Sequence, residues 1–200
     1  MPRKYEQKRR AERQAETRHR IVEATVALHE TVGVARTSIS EIAERAGVER
    51  ATVYRHFPDE RSLLAACTGH YVALHPPPDP TAWERITDPG TRLQIGLREI
   101  YAYHRRTEHM TDRAERDLPE VPILAEVLAP YLAHRVRTRD VLAAGWPVAP
   151  ERRDLLTAAI GHAVAFSTWR SLVRGQGLDD TQAVTVISAM VGSLGSSSEA

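Results

Sequence analysis

Apolar side chains recur every three or four residues along most of the chain, which is the spacing of one face of an α-helix. The first such stripe consists of Ile21, Ala24, Leu28 and Val32. Gly33 follows, where a helix would end. Two short helices are predicted next, over about 38–46 and 49–55, and a fourth begins after Asp59. No stretch alternates with period two for long enough to indicate a sheet, so the pattern predicts an all-α fold.

A proline run separates this front part from the rest of the chain. Residues 76–78 are all proline, which breaks any helix, and the helical pattern resumes beyond them. The last two predicted helices are long: one covers 151–174, and the other runs from a cap at Asp179 to about Leu194. The sequence therefore predicts a small front part and a larger helical rear part.

Charge is distributed unevenly, although the formal net charge is only +1. Residues 1–62 carry 13 basic and 10 acidic side chains, whereas residues 63–200 carry 14 and 16. A positive front part suggests a polyanionic partner; the alternative is a charged helix that is simply solvated.

The segment around Gly47 has the spacing of a helix-turn-helix. Gly47 falls at the turn, where a left-handed backbone costs glycine least, and Ala43 falls where only a small side chain lets the two helices cross. Thr37 or Ser38 caps the first of these helices, and Glu41 would complete a capping box with Ser38. The second helix of such a motif enters the major groove of DNA.

This second helix carries side chains suited to DNA. Those predicted to project from it are Arg50, Ala51, Thr52, Tyr54, Arg55 and His56. Arginine reads guanine edges or pairs with phosphate, hydroxyl groups and histidine suit phosphate oxygens, and alanine permits close approach or meets a thymine methyl group. The alternative for Tyr54 and His56 is packing beneath the turn.

The run TSISEIAERAGVERATVYRHFPDERSLL resembles the DNA-binding segment of the tetracycline-repressor (TetR) family of bacterial transcription regulators. The resemblance covers about residues 17–70. It implies a three-helix DNA-binding domain joined by a linking helix to a helical bundle that dimerises. It also implies that one set of side chains faces DNA: Ser38, Arg50, Thr52, Tyr54, Arg55 and His56.

Two positions depart from the family pattern. Glu49 replaces the serine that commonly opens the recognition helix, and Glu60 replaces a phosphate-binding lysine at the start of the fourth helix. Arg61 is expected to substitute for that lysine, although it points about 100° further around the helix. The basic residues 1–20 could enter a minor groove, continue the first helix or form a solubilising tail; we predict that 1–15 are flexible.

The domains predicted on this basis are 1–70, which binds DNA, and 71–200, which dimerises and binds a ligand. The helix predicted over 151–174 is apolar on two faces and therefore needs two partners. Together with the last helix it would build a four-helix interface between two copies, as the resemblance also implies. The predicted interface residues are Leu156, Ile160, Ala163, Val184, Ile187, Val191 and Leu194.

Aromatic side chains with polar tips are typical of small-molecule pockets, and equally of protein cores. The candidates for ligand binding lie on inward-facing stripes: Tyr101, His104, Tyr131, His162 and Phe166. They predict a largely apolar or aromatic effector with one or two hydrogen-bonding groups.

Other motifs argue against catalysis and cofactors. The chain lacks a G-x-S-x-G motif, a phosphate loop and a dinucleotide fingerprint. Its closest histidine pairs, His70 with His75 and His104 with His109, do not have the helical spacing of metal ligands. We therefore predict no enzyme activity, no cofactor and no metal. No apolar run approaches the roughly 20 residues of a membrane span, so a cytoplasmic protein without membrane contact is expected.

These features predict a ligand-responsive transcription regulator that binds double-stranded DNA. Repression is the default: a homodimer would bind a palindromic operator and be released by the effector, although activation is not excluded by the sequence. The alternative from another class is a helical protein-interaction adaptor with a vestigial DNA-binding motif. Salt-sensitive, sequence-selective DNA binding would distinguish the two.

Overall fold

The structure is a computed structural model in which residues 2–195 are described, with side chains from Tyr5 onward. Within this range every regular element is a helix, so the predicted all-α class is confirmed. The helices are α1 (Pro2–Thr31), α2 (Ile39–Ala46), α3 (Arg50–His56), α4 (Glu60–Leu74), α5 (Pro89–Arg106), α6 (Glu108–Asp117), α7 (Pro122–Val127), α8 (Ala129–Ala143), α9 (Pro150–Ala163), α10 (Phe166–Arg170) and α11 (Asp180–Gly195). A 3₁₀ turn covers Pro80–Ala82, and a π-helical turn covers Ser171–Gly175.

The chain divides into two compact units. The front unit contains the residues up to Leu74 together with His109–Leu128, and the rear unit contains His75–Glu108 and the residues from Ala129 onward. The sequence pattern places 109–128 in the rear part. In the structure these residues pack with the front helices instead, because α7 lies against α4.

The front unit is built on a core beneath α1, α2, α3 and α4. Its members include Ile21, Val22, Ile42, Ala43, Val53, Phe57, Leu63, Leu64 and Cys67. Burial raises the pKa of the Cys67 thiol to about 12, so this side chain is a protonated core thiol.

The first helix begins earlier than predicted. Residues 2–15, for which the sequence predicted flexibility, form the first half of α1. Pro2 is tolerated because the first turn of a helix does not use its backbone N–H groups. Beyond it the segment is rich in Arg, Lys, Gln, Glu and Ala, which are strong helix formers, and Lys8 pairs with Glu12 one turn later at 3.9 Å.

Side chains of α6 fix the loop that follows α1. Asp117 Oδ2 accepts a hydrogen bond from the Ala35 amide at 3.1 Å, and Arg116 Nη2 donates to the Val32 carbonyl at 2.7 Å. Gly33 in this loop has φ = 94°, and a Cβ atom there would collide with Asp117. A glycine is therefore required at this position both for its backbone conformation and for the close approach of α6.

Replacing Asp117 with alanine is expected to lower the free energy of unfolding by about 2 kcal/mol at pH 7, because it removes the buried carboxylate that accepts hydrogen bonds from the Ala35 amide and from Arg116. Burial by itself raises the pKa of Asp117, but hydrogen bonds from Arg116 and Ala35 outweigh it and hold the pKa below 3.8. This stabilisation is present above the unfolded-state pKa and is lost as the pH falls through the lower folded-state value. Urea unfolding at pH 7 measures the loss, and the exposed Glu120→Ala serves as control; equal stability of both variants would contradict this role.

The rear unit has a separate core formed mainly by α5, α9, α10 and α11. Its largest members are Trp83, Leu93, Leu97, Tyr101, Leu142, Leu156, Ile160, Phe166, Trp169, Ile187 and Val191. Two bidentate ion pairs link elements of this unit: Arg105 binds the carboxylate of Asp180, and Arg174 binds that of Glu108.

The long helix predicted over 151–174 is interrupted. α9 ends at Ala163, and α10 begins at Phe166 after a short break. Two side chains of α5 bind carbonyl groups at this break: the Tyr101 hydroxyl donates to the Ala163 carbonyl at 3.0 Å, and His104 Nε2 lies 3.1 Å from the Val164 carbonyl. These hydrogen bonds replace part of the helical ladder, which explains why a break without glycine or proline is stable.

Candidate nucleic-acid interface and rear-unit cavity

The turn between α2 and α3 has the predicted geometry. The Glu41 amide donates to Ser38 Oγ at 3.3 Å, and the Ser38 amide donates to Glu41 Oε2 at 2.8 Å, which completes the capping box. Gly47 adopts φ = 64° and ends α2 in the left-handed conformation. The alternative cap, Thr37, donates its hydroxyl to the Gly33 carbonyl at 2.7 Å instead.

The recognition helix α3 is fixed by two buried side chains, Val53 and Phe57. Around the rest of its surface, six predicted DNA-binding residues are brought together. Arg50, Ala51, Tyr54 and Arg55 are exposed, and Thr52 and His56 are half-buried. Tyr54 keeps 48% of its surface exposed, so it is not buried beneath the turn.

His56 lies at the end of α3 among positive charges. Its partial burial lowers its pKa, and the neighbouring Arg55 and Arg18 lower it further. The imidazole is therefore neutral at pH 7 and offers an N–H donor rather than a positive charge.

Helix α1 places two more arginines beside α3. The Arg18 guanidinium carbon lies 4.6 Å from the centroid of the Phe57 ring, and the Arg20 guanidinium approaches Gly47. In the sequence both belong only to a basic extension. If the helical period of α1 is extended back through residues 9–20, it predicts that Arg18 and Arg20 lie near the turn.

Three predicted DNA contacts outside α3 already have protein partners. The Ser38 hydroxyl donates to Glu41 Oε2 at 2.7 Å, and the Thr37 hydroxyl donates to the Gly33 carbonyl. Arg61 forms an ion pair with Glu126 of α7, but these side chains remain 60% and 57% exposed. Such a pair is weak, so a phosphate group can compete for Arg61. Phosphate contacts by Ser38 or Thr37 require their hydroxyl groups to rotate.

The two departures from the family pattern lie at helix starts. Glu49 is the N-cap of α3, but within the described part of the chain its side chain forms no capping hydrogen bond. Glu60 is the exposed first residue of α4. A carboxylate is favourable at either position because of the helix dipole, whatever its effect on DNA.

Three of the five predicted ligand-binding residues form one buried aromatic cluster in the rear unit. His104 stacks edge-to-face on Phe166 at a centroid distance of 5.5 Å, and Tyr101 lies 6.3 Å from His104. Tyr131 is half-buried and lines a small cavity next to His104. His162, however, is exposed and lies outside this cluster: because α9 ends at Ala163, the stripe that would have carried His162 inward does not continue.

The cavity beside His104 has a volume of about 30 Å³. Its walls are formed by α5, α8 and the proline run, and include Tyr131, His134 and Arg135. This volume is enough for about one or two water molecules. It is far below the roughly 300–1,000 Å³ of a ligand pocket, so an effector would have to enlarge it.

His104 has an unused hydrogen-bonding atom at this cavity. The ring is 3% exposed, and Nε2 donates to the Val164 carbonyl. Burial lowers the pKa of His104 to about 4, so the ring is neutral and Nδ1 carries a lone pair. Among the described residues Nδ1 has no hydrogen-bond partner. An unpaired buried acceptor costs about 1–3 kcal/mol, a cost that a ligand with a donor group would remove.

Two larger grooves lie elsewhere. One, of about 290 Å³, is in the front unit behind Tyr54 and Phe57. The other, of about 550 Å³, is an open surface groove of the rear unit lined in part by Glu84, Arg137 and Asp140. Its charged lining does not match the apolar effector that the sequence predicted.

The predicted dimer-interface residues are core residues of the rear unit, which corrects the prediction. Leu194 is half-buried and packs against the rear core. The other six are buried within the chain: Leu156, Ile160, Ala163, Val184, Ile187 and Val191. The reason is that α9 and α11 pack on each other and α11 packs on α5, so these stripes face their own chain. The exposed sides of the same helices carry Leu155, Val186 and Met190, which are 60%, 40% and 61% exposed.

Within residues 2–195, no helix is both long enough and apolar enough to cross a membrane.

The capped α2, the glycine turn and the exposed α3 define a helix-turn-helix protein with a helical second unit. Residues 21–67 match the family model described as bacterial regulatory proteins, tetR family. An uncharacterized HTH-type transcriptional regulator of Mycobacterium bovis is 46% identical over 61 residues, which cover 30% of this chain and 32% of that protein. Residues 21–67 thus form a segment similar to the DNA-binding part of tetR-family regulators.

Other similarities extend further along the chain. The HTH-type transcriptional repressor KstR of Mycolicibacterium smegmatis is 29% identical over 118 residues, which cover 59% of this chain and 51% of KstR. A TetR transcription regulator from Haloarcula marismortui has the same fold, with a TM-score of 0.54 at 18% identity over 90% of this chain and 97% of that one. The aligned segments thus span about a third to a half of these sequence relatives. The names of these relatives describe transcription regulators, which is the class of protein that the sequence predicts.

Proposed function

We propose that the protein is a cytoplasmic transcription repressor that binds a palindromic operator as a homodimer and is released by a small, largely apolar or aromatic effector. The observation that carries this proposal is the arrangement of α3, whose anchors Val53 and Phe57 are buried while Arg50, Tyr54 and Arg55 are exposed. A helix of seven residues is about 10 Å long and fits the major groove, which is about 12 Å wide.

Each exposed side chain of α3 is assigned a role by its chemistry. Arg50, at the N-terminal end, is best placed to reach base edges, as the first residues of recognition helices do. Ala51 beside it permits close approach or meets a thymine methyl group. Thr52, Tyr54 and His56 carry donors for phosphate oxygens, and Arg55 serves either purpose. Arg18 and Arg20 of α1 add phosphate contacts beside the turn.

The repressor assignment is supported by the similarity to KstR, which is a repressor. Release by an effector requires that the effector bind more tightly to a state that cannot place two recognition helices in successive major grooves, about 34 Å apart. The front unit's first segment ends with α4 at Leu74, so α4 leads into one of the three places where the chain passes from one unit to the other.

The proposal is tested by a gel shift with DNA from upstream of the protein's own gene. We expect a shift that persists with excess unrelated DNA and weakens steeply as salt rises, because phosphate contacts release counterions. A shift that is equal for all sequences, or no shift, would favour the adaptor alternative.

Dimerisation is proposed through the exposed sides of α9 and α11 rather than through the buried stripes. From Thr181 to its end, α11 contains no charged residue, although ten of these fifteen residues are exposed or half-buried. Its outward side consists of Gln182, Thr185, Val186, Ala189, Met190 and Ser193. Leu155 and Ala159 extend this uncharged surface on α9. A homodimer interface typically has an apolar centre from which charged residues are depleted and in which methionine is enriched.

The effector is proposed to bind beside His104 and to donate a hydrogen bond to its Nδ1 atom. Tyr131 and His134, which are half-buried, are the lining side chains that can move to enlarge the cavity. The aromatic neighbours of His104 favour a flat, apolar ligand body. A phenolic hydroxyl combines both properties.

Simple phenols are therefore expected to raise the melting temperature of the protein, and their methyl ethers to bind about tenfold more weakly, because an ether cannot donate to Nδ1. His104→Phe should abolish this difference while keeping the aromatic packing. His162→Asn, outside the cluster, is the control and should preserve the preference. A hydroxyl preference that survives His104→Phe would show that His104 is not the acceptor.

A further inference from the structure

Two helices of the front unit bring three metal-binding side chains together. His19 and Glu23 lie one turn apart on α1, and His70 lies on α4. The ligand atoms of all three lie within 4.8 Å of one another. His19 Nε2 is 3.3 Å from Glu23 Oε1, and the rings of His19 and His70 meet edge-to-face with centroids 5.3 Å apart. We propose that His19, Glu23 and His70 bind a divalent transition-metal ion that cross-links α1 to α4.

The spacing is close to that of an assembled site. Ligand atoms at 2.0–2.2 Å from a tetrahedral Zn²⁺ ion lie about 3.4 Å from each other. His19 and Glu23 already have this separation, because residues four apart share one face of a helix. His70 needs to approach by at most about 1.4 Å, which a small rotation of a half-buried side chain provides.

The donor set determines which ions fit. Two imidazoles and one carboxylate suit Zn²⁺, Co²⁺ and Ni²⁺, whereas Mg²⁺ and Ca²⁺ prefer oxygen ligands alone. Three protein ligands leave one tetrahedral position for water or for an external ligand. His19 and Glu23 are more than half exposed, so an ion can enter from solvent.

The sequence alone predicts no metal site, because only histidines that are close along the chain can be checked for the spacing of metal ligands. His19 and His70 are far apart along the chain and meet only because α1 packs on α4. The simpler interpretation is a surface ion pair between His19 and Glu23, which would contribute little to stability. That interpretation gives His70 no role, whereas the proposed site needs it.

Metal binding is expected to stabilise the front unit. An ion that binds only the folded arrangement of α1 and α4 raises the melting temperature by mass action. This effect does not depend on the proposed operator binding, so either proposal can fail without the other.

The test uses the full-length protein after removal of metals with a chelator. Competition with a chromophoric chelator should show one Zn²⁺ bound per chain, a rise in melting temperature with Zn²⁺ and none with Mg²⁺. Co²⁺ should give the intense visible absorption of a tetrahedral site. Loss of even an outer-shell partner typically weakens metal binding by about 10–100-fold, so His19→Gln and His70→Gln should each weaken it at least tenfold and remove the thermal shift.

His109→Gln is the matched control, because His109 is an exposed histidine of the same unit and lies outside the cluster. It should bind Zn²⁺ like the unmodified protein. Circular dichroism establishes that the variants are folded, which their surface positions favour. The proposal is overturned by any of three results: unchanged Zn²⁺ binding in His70→Gln, an equal loss of binding in His109→Gln, or no thermal shift with Zn²⁺. Each would show that Zn²⁺ binds only adventitiously at the surface.

Discussion

Replacing Arg50 with alanine should weaken operator binding by about 30-fold or more without changing helical content. A bidentate arginine contact with guanine is worth about 1–3 kcal/mol, and a dimer would forgo one such contact in each half-site. Arg50 is exposed at the start of α3 and contributes nothing to the front core, so the helix should remain folded. Fluorescence anisotropy with a labelled operator measures the change in affinity.

The form of this change separates two roles for Arg50. If it reads a base, the variant should tolerate substitutions at one position of each half-site. If it binds phosphate, binding to all DNA sequences should be weakened alike. The slope of the logarithm of the binding constant against the logarithm of the salt concentration should then fall in magnitude by about 1 for each phosphate that is no longer neutralised. Arg85→Ala, an exposed arginine of the rear unit, is the control. Unchanged affinity and specificity in Arg50→Ala would remove this residue from the interface.

The turn of the helix-turn-helix could be derived from the sequence because it depends on local rules. A serine three residues before a glutamate closes a capping box, and a glycine is the cheapest residue in a left-handed conformation. Ser38, Glu41 and Gly47 obey these rules in the structure. The buried position of Val53 follows from the helical period alone, so the face of α3 that is exposed could be predicted as well.

The surface that we propose for dimerisation could not be chosen from the sequence, because α9 carries apolar residues on two sides. Leu155 and Leu156 are neighbours of the same type, yet the first is exposed and the second lies in the core. Which of them faces another copy depends on where α5 and α11 pack. The periodic pattern indicates how many apolar faces a helix has, but it does not identify the partner of each face.

Long-range contacts account for the other differences. The break after Ala163 depends on hydroxyl and imidazole groups of α5, and the membership of α6 in the front unit depends on Asp117 and Arg116. None of these leaves a local signal such as glycine or proline. The same holds for the cluster of His19, Glu23 and His70, which combines residues of two helices. The candidate sites of this protein outside α3 thus require the tertiary structure.

A substitution on the exposed sides of α9 and α11 is expected to disrupt dimerisation. Met190→Asp should convert the homodimer into a folded monomer at micromolar concentration, because it places a charge in the centre of the uncharged surface. Met190 is 61% exposed in the single chain, so the rear core should be unaffected. A monomer reaches only one half-site at a time, and without the second its operator affinity should fall by about 10²–10⁴-fold. Light scattering measures the oligomeric state, and fluorescence anisotropy measures the affinity.

Two further variants make this result specific. Val136→Asp introduces the same charge at an apolar residue of α8 that is 49% exposed, and it should leave the dimer and operator binding intact. Val191→Asp lies in the stripe that the sequence predicts for the interface. Because Val191 is buried in the rear core, this change should unfold the unit, seen as lower helical content, rather than release a folded monomer. A folded monomeric Val191→Asp together with a dimeric Met190→Asp would reverse the assignment of the two faces.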